Sequence, residues 1–475
     1  MKFRPPTRLE SLAFISGFVL LTFELVAARV LAPTVGSSTY VWTSVIGVII
    51  AALSLGFYLG GKIADVRKNE NDVAWLLLTA AVLVALTTVL YPHVLPSLAA
   101  TNMDVRLQAV VAAAILFAPT SLALGMISPY LAKLNVTSLK TSGSAIANLS
   151  AWDSIGGITG TFLTGFVLFG YMGSRSIFIV LVIVLLLATL LLRTRLTRRY
   201  LGIAALAFFT VLIAPTASRA IDIDTPSAHY TVFEWGTDEV QYRGLAMGPG
   251  GVQSGIRVDQ PHVPVFWYTN ELASLIRQTP NRQDILMLGG GTFTLPQQVA
   301  LSYPESHIDV VEIDPELVKV AREHFAYRDP ANVEIISEDA RTYSNRTTKR
   351  YDIVVVDVYG NTDIPFTFMT KEYGEAIGRI VNPGGVVMVN MIAGEQGGCG
   401  ALLATLEAPY RKNFTQHLIK SNSTAATTKS PHNIIGVYSD KPLAYPGYMS
   451  LPARPTEVLT DDYAPAERMR QKCEA

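Results

Sequence analysis

Up to residue 217 the sequence is a succession of apolar runs, each long enough to cross a lipid bilayer as a helix. The hydrocarbon core is about 30 Å thick and needs about 20 mostly apolar residues in a helix, which satisfies its own backbone polar groups without water. Seven such runs lie near 10–31, 40–60, 73–94, 108–132, 145–170, 175–193 and 200–217, and the last is short. A second run follows the first at once, so the first is not a cleaved leader alone. Only 16% of the residues are charged, against about 25% in an average soluble chain.

Lys and Arg in the short loops set the orientation. Lys2, Arg4 and Arg8 precede the first run; Lys62, Arg67 and Lys68 follow the second. Lys133 and Lys140 follow the fourth, and Arg193, Arg195, Arg198 and Arg199 follow the sixth, whereas the alternate loops offer little beyond Arg29, Arg106 and Arg175. The N-terminus is therefore expected in the cytoplasm, with the chain resident in the inner (cytoplasmic) membrane as a multi-pass protein. Gly56 and Gly60, then Gly156 and Gly160, sit four apart and suit close helix packing. Glu24 and Asp153 fall inside predicted spans, where an acid is costly and faces a partner or a wet cavity. They are either hydrogen-bonded structural acids or contacts for something carried.

After Arg219 the texture changes. Residues 229–260 carry β-type residues broken by Gly248-Pro249-Gly250-Gly251, the pattern of a small hairpin unit. From about 283, strand and helix alternate. Strands are predicted at Asp284–Leu288, 307–314, Val333–Ser337, Tyr351–Val358 and Gly385–Met391, with helices at 315–325, 371–381 and 399–410. Such alternation predicts a doubly wound α/β domain with a parallel sheet, its ligand beyond the carboxyl ends of the strands. The division expected is a transmembrane helical domain over 1–217, a small β-rich unit over 218–282 and a cofactor-binding domain over 283–475.

The residues able to do chemistry stand at those strand ends. Gly289-Gly290-Gly291 allows a sharp turn and close approach to a ligand. Glu312 ends the next strand about 20 residues on, the spacing at which an acid accepts from ribose hydroxyls. Asp339 follows the third strand, placed to accept from an adenine amino group, and Asp357 ends the fourth. After Gly291 comes Thr292-Phe293-Thr294-Leu295-Pro296, without the later glycine that a dinucleotide pyrophosphate requires. A nucleoside cofactor without pyrophosphate is expected.

At these residues, over roughly 229–440, the chain resembles the spermidine synthase (polyamine aminopropyltransferase) family. The resemblance rests on Gly251-Val252-Gln253-Ser254, Tyr268 through Leu275, Leu288-Gly289-Gly290-Gly291, Val311-Glu312-Ile313-Asp314 and Glu338-Asp339-Ala340. Tyr351-Asp352-Ile353-Val354-Val355-Val356-Asp357 and Pro383-Gly384-Gly385 continue it. With its helical half, the chain looks like the bacterial subgroup in which a multi-span region precedes a synthase-like domain. The resemblance implies a Rossmann-like, methyltransferase-type sheet behind a small N-terminal β unit. It implies S-adenosylmethionine or its decarboxylated form as cofactor and substrate, bound by Gln253, Gly289, Gly290, Gly291, Glu312, Asp339 and Ala340. Tyr268 would line the amine pocket, Asp357 or Asp363 would be the base, and Tyr359 would help shape the acceptor site. A homodimer is the family-based expectation.

Three departures bear on the reaction. Synthases of the family carry an acid at the position of Thr292, a second acid at that of Gly360, and Gln or His at that of Thr269. An amine nucleophile must lose its proton to attack, so ordinary putrescine aminopropylation is in doubt, and Asp363 is either a substitute acid or a turn residue. The leading expectation is a membrane-embedded transferase of aminopropyl or another alkyl group to an amine or other acceptor. The alternative is a carrier or sensor of polyamines or nucleosides with a catalytically degenerate domain.

Lys plus Arg and Asp plus Glu number 38 each, which gives no reason to expect a nucleic-acid partner. No cluster among the seven histidines suggests a metal. Cys399 and Cys473 are the only cysteines. Two unrelated thiols is the simpler reading, and one disulfide is open if that half meets an oxidising compartment. Seven spans from a cytoplasmic N-terminus put the second half outside, while its expected cofactor is cytoplasmic; the balance inclines slightly to outside.

Overall fold

The computed structural model describes residues 5–35, 39–101, 103–192, 220–225, 227–237, 239–247, 251–359, 364–423, 428–450, 452, 456 and 458–474. The predicted seventh span at 200–217, the Gly248-Pro249-Gly250 turn, Gly360 and Asp363 lie outside the described residues. The chain divides into two compact units, Met1–Tyr230 and Thr231–Ala475.

The first unit is helical. Its elements are α1 (Arg8–Val35), α2 (Thr39–Val66), α3 (Glu70–Ala99), α4 (Val105–Leu116), α5 (Ala118–Asn135), α6 (Ser142–Leu163), a one-turn α7 (Phe169–Tyr171) and α8 (Ser174–Ala188). Among the described residues five helical segments are long and apolar enough to cross a membrane: Arg8–Ala32, Val41–Val66, Glu70–Ala99, Ser142–Tyr171 and Ser174–Leu191. A sixth is counted if α4 and α5, bent by 53° at Phe117, make one span. The first six predicted runs fall on these helices. Local signals fix their starts: the Asn69 side chain accepts from Asn71 N–H at 3.0 Å, and Glu70 and Asp72 in the first turn of α3 complement its dipole.

The spaced glycines let helix backbones touch. A Cβ on Gly156 would overlap the Phe14 carbonyl, and one on Gly160 would come within 2.5 Å of the Phe18 carbonyl. Contacts that rise together along both sequences make α1 and α6 parallel, and Gly56 and Gly60 join α2 to α5 in the same way. Glu24 and Asp153 are half-buried and show no hydrogen-bond partner among the described residues.

A five-stranded sheet follows in the order β1 (Ile221–Asp224), β2 (His229–Gly236), β3 (Gln241–Ala246), β4 (Val252–Arg257) and β5 (Gln260–Pro264). The pairs from β2 to β5 are antiparallel, and the division between units falls inside β2. The second sheet has seven strands: β6 (Asp284–Leu288), β7 (His307–Glu312), β8 (Val333–Ser337), β9 (Tyr351–Val356), β10 (Val381–Ala393), β11 (Gln416–Ser421) and β12 (His432–Ser439). Their spatial order is β11-β12-β10-β9-β6-β7-β8. The chain winds outward from β6 in one direction through β7 and β8, and in the other from β9 to β10. The switch in strand order therefore lies between β6 and β9, where a doubly wound sheet opens its crevice.

The sheet is mixed rather than parallel, which corrects the sequence expectation. Strands β11 and β12 pair antiparallel and add antiparallel to β10. The alternation of strand and helix stops after the helix Gly397–Asn413, and two strands then follow with no helix among the described residues between them. The central strands are buried on both faces: Ile353, Val354, Val355 and Val356 of β9 are at most 3% exposed. Strand β10 also starts earlier than expected, at Val381. The fold is a Rossmann-like, methyltransferase-type mixed sheet.

Cys399 and Cys473 are joined in a disulfide, contrary to the simpler reading of two separate thiols. The final helix, Ala466–Glu474, packs on Gly397–Asn413 closely enough that Gly398 abuts the Lys472 carbonyl. Sequence distance hid that contact.

Candidate functional site

The turn after β6 is shaped by backbone requirements. Gly289 has φ of 96° and Gly291 of 53°, conformations that an L side chain rarely takes. A Cβ on Gly289 would also collide with the carbonyl of Asp357 at the end of β9. The triple glycine thus brings two strand ends together across the switch point. Phe293 takes a left-handed conformation at φ of 59° just before the helix Thr294–Ser302, its ring buried against Tyr327 at 5.0 Å.

Glu312 ends β7 with its carboxylate fixed by the backbone. Gly290 N–H donates to Oε2 at 2.9 Å and Asp314 N–H to Oε1 at 3.0 Å. Each oxygen keeps a further lone pair, so the group is oriented but not saturated. Burial holds this carboxyl above its ordinary range, opposed by the N–H groups of Gly290 and Asp314. Asp339 is half-buried and caps the helix Ala340–Arg346, its Oδ1 accepting from Thr342 N–H at 2.8 Å; Ala340 is buried behind it. The end of β8 is tied to that of β7 by Glu338 N–H donating to the Glu312 carbonyl at 3.1 Å.

A second group forms around Asp357. Asn390 of β10 donates from Nδ2 to Asp357 Oδ1 at 2.9 Å, and Asn433 of β12 donates to Asn390 Oδ1 at 3.1 Å. Burial pushes the Asp357 carboxyl up to about 6, with the Asn390 hydrogen bond opposing. Tyr359 donates its hydroxyl to the Asn390 carbonyl at 2.9 Å, and Tyr268 donates to the Gln253 carbonyl at 2.7 Å. Burial, then the nearby Asp357 charge, raises both phenols well above their ordinary value. Asn390 also borders an apolar pocket shared with Val358, Ile364, Phe368, Met391 and Tyr410.

Thr292, at the position where the resemblance implies an acid, is buried in a chain of hydroxyls. Its Oγ1 lies 2.5 Å from Ser254 Oγ and 2.8 Å from Thr294 Oγ1. Thr269 turns its hydroxyl back to the Phe266 carbonyl at 2.8 Å. Gly289, Gly290 and Glu312 are therefore joined by direct contacts, and Tyr268, Tyr359 and Asp357 gather at the neighbouring strand end. Gln253 takes part through its carbonyl. Sequence reasoning missed Asn390 and Asn433. One signal was present: Asn390 is the lone polar residue in Val386-Val387-Met388-Val389-Asn390-Met391. Among the described residues no group of three or more His, Cys, Asp or Glu is arranged to hold a metal.

Sheet order and the glycine turn define a Rossmann-like, methyltransferase-type domain, with the candidate site at the switch point. Comparison with known proteins shows what that domain is similar to. Residues 265–395 match the family model of the spermine/spermidine synthase domain. A probable polyamine aminopropyl transferase of Bifidobacterium longum is 33% identical over 141 residues, covering 30% of this chain and 31% of that protein. The polyamine aminopropyltransferase of Vibrio vulnificus is 34% identical over 119 residues, covering 24% and 39%. A putrescine N-methyltransferase of Nicotiana attenuata is 32% identical over 130 residues, covering 26% and 34%. The chain spans 31 to 39% of the length of these relatives. The crystal structure of a probable spermidine synthase from Corynebacterium glutamicum aligns with 48% of this chain and 82% of its own, at 25% identity and a TM-score of 0.41.

Proposed function

We propose that the chain is a membrane-embedded, spermidine-synthase-like transferase. It binds S-adenosylmethionine or decarboxylated S-adenosylmethionine and passes an aminopropyl or other alkyl group to an amine. The observation that carries this reading is the Glu312 carboxylate, fixed by two backbone N–H groups beside the glycine turn and so presented to a ribose diol. Asp339 stands one strand further out, towards the adenine. Relatives named for aminopropyl and for methyl transfer support an amine acceptor and leave the transferred group to experiment.

Transfer from a sulfonium needs little beyond alignment and charge placement. The acceptor nitrogen forms a bond to the carbon beside sulfur, that carbon–sulfur bond breaks, and its electron pair stays on sulfur as the neutral thioether leaves. The amine proton passes to Asp357, whose carboxyl, pushed up to about 6, is ionised at neutral pH yet basic enough to accept it. Thr292 adds no charge on the donor's side, which reduces the pull on a cationic aminopropyl group and favours testing methyl transfer equally.

The test is incubation of purified full chain with each donor and putrescine, followed by mass spectrometry. Appearance of methylthioadenosine with an aminopropylated amine, or of S-adenosylhomocysteine with a methylated one, supports the proposal and names the group. Both donors recovered intact with this and a panel of other amines would refute enzymatic transfer. That outcome would favour the carrier reading, for which Glu24 and Asp153, half-buried on α1 and α6, are the supporting observation.

A further inference from the structure

The two ends of the helical unit differ in chemistry. At one end Arg8 pairs with Glu70 at 3.7 Å and donates to the Leu191 carbonyl at 3.4 Å. Lys133 pairs with Asp65 at 2.5 Å, and Lys68 donates to the Val136 carbonyl at 3.1 Å. Lys62, Arg67 and Lys140 belong to the same helix ends and loops, so this is the cation-rich end and by the loop-charge rule the cytoplasmic one. Arg29 rides on the same helix as Arg8, about 32 Å further along at 1.5 Å per residue, a bilayer's hydrocarbon thickness away.

Around Arg29 a different cluster closes the other end. Asp224 of β1 lies 3.4 Å from Arg29 and accepts from Ser174 N–H at the start of α8 at 2.8 Å. His229 of β2 lies 2.7 Å from Asp224 and 3.5 Å from Asp222. The Arg29 guanidinium also sits 4.3 Å over the Phe169 ring. The Arg29 and Asp224 side chains are only 9% and 12% exposed. Burial opposes the charge on His229, but its hydrogen bonds to Asp222 and Asp224 outweigh that and hold it up to about 9. Such a buried, mutually neutralising set fixes residues 221–229 to this end, since removing one member would strand a buried charge.

Leu191 therefore lies at the cation-rich end and Asp224 at the opposite one. The chain continues from His229 along β2 into the second unit, where no described helix is long and apolar enough to recross. The disulfide between Cys399 and Cys473 agrees independently, because such bonds persist in oxidising compartments and are rare in the cytosol.

We infer that the synthase domain works on the extracytoplasmic face of the membrane and draws donor and acceptor from that side. The topology stands on its own; the substrate part rests on the transferase reading. A sulfonium nucleoside is permanently charged and does not cross a bilayer unaided, so a transport step must supply the donor.

Thiol accessibility in spheroplasts tests this with the full chain. A membrane-impermeant maleimide is expected to label Lys319→Cys, exposed on the helix Pro315–His324, and to label Lys140→Cys only after lysis. Acid-trapped native protein is expected to gain two alkyl tags only after reduction. Labelling of Lys319→Cys only after lysis would overturn the inference, as would Cys399 and Cys473 alkylating without reductant. Neither readout needs turnover, so outside labelling with an inactive protein would sink the transferase reading alone.

Discussion

Asn390 offers a sharp test of the site because its one hydrogen bond to Asp357 sets a measurable midpoint. Replacing it by leucine keeps the volume and removes the donor at 2.9 Å. A hydrogen bond to a charged group contributes about 1.5–3 kcal/mol, equivalent to roughly one to two pKa units. Asp357 titrates at about 6, so in Asn390→Leu the midpoint should move up to between about 7 and 8. The assay is calorimetric binding across pH of decarboxylated S-adenosylmethionine and its thioether counterpart, which differ by one methyl and one charge. Taking their affinity ratio cancels the titration of Glu312, which both ribose groups meet alike. Below the midpoint Asp357 is neutral and gives the sulfonium no advantage; above it the carboxylate does, by roughly 3 kcal/mol or a hundredfold for charges about 6 Å apart at an effective dielectric near 20. The ratio should therefore rise through pH 6 in the native protein and through pH 7–8 in the variant. A midpoint that stays near 6 or falls would refute the reasoning.

Gly289→Ala should abolish nucleoside binding in the same titration, because the new methyl meets the Asp357 carbonyl in a backbone held at φ of 96°. Gly251→Ala, equally strained at φ of 93° but facing open space, should bind measurably better. Cys399→Ser should lower stability by about 2–5 kcal/mol, since the bridge links residues 74 apart; reductant should shift the native melting curve and leave the variant's unchanged. His229 has a folded pKa near 9 against an ordinary 6.5. It should contribute about 3 kcal/mol that is fully present below pH 6.5 and lost as pH rises through 9; melting curves of native protein and His229→Gln should converge over that window.

How much was legible in the sequence follows from whether a signal was local. The six helical runs were legible because span length is set by bilayer thickness, and Glu312 because a strand-end acid about 20 residues after a glycine turn is a local pattern. Strands β11 and β12 were not, since Gln416–Ser421 and His432–Ser439 carry no mark that they add antiparallel to β10. Asp224 and His229 read as ordinary polar residues after Arg219; only the packing of Arg29 and Ser174 shows them as one buried cluster. Asn390 had a faint mark, a polar residue in an apolar strand, which says that a partner exists without saying which. The pairing of Cys399 with Cys473 needed the final helix to be placed on Gly397–Asn413, which nothing within either segment encodes.

The central claim is that Glu312 and the glycine turn form a nucleoside site. Its most direct test is calorimetric titration of the purified protein with S-adenosylmethionine, decarboxylated S-adenosylmethionine and methylthioadenosine, repeated on Glu312→Ala. Saturable binding of at least one of the three, abolished in the variant, is the predicted result. Binding of none, or binding that Glu312→Ala leaves unchanged, would contradict it.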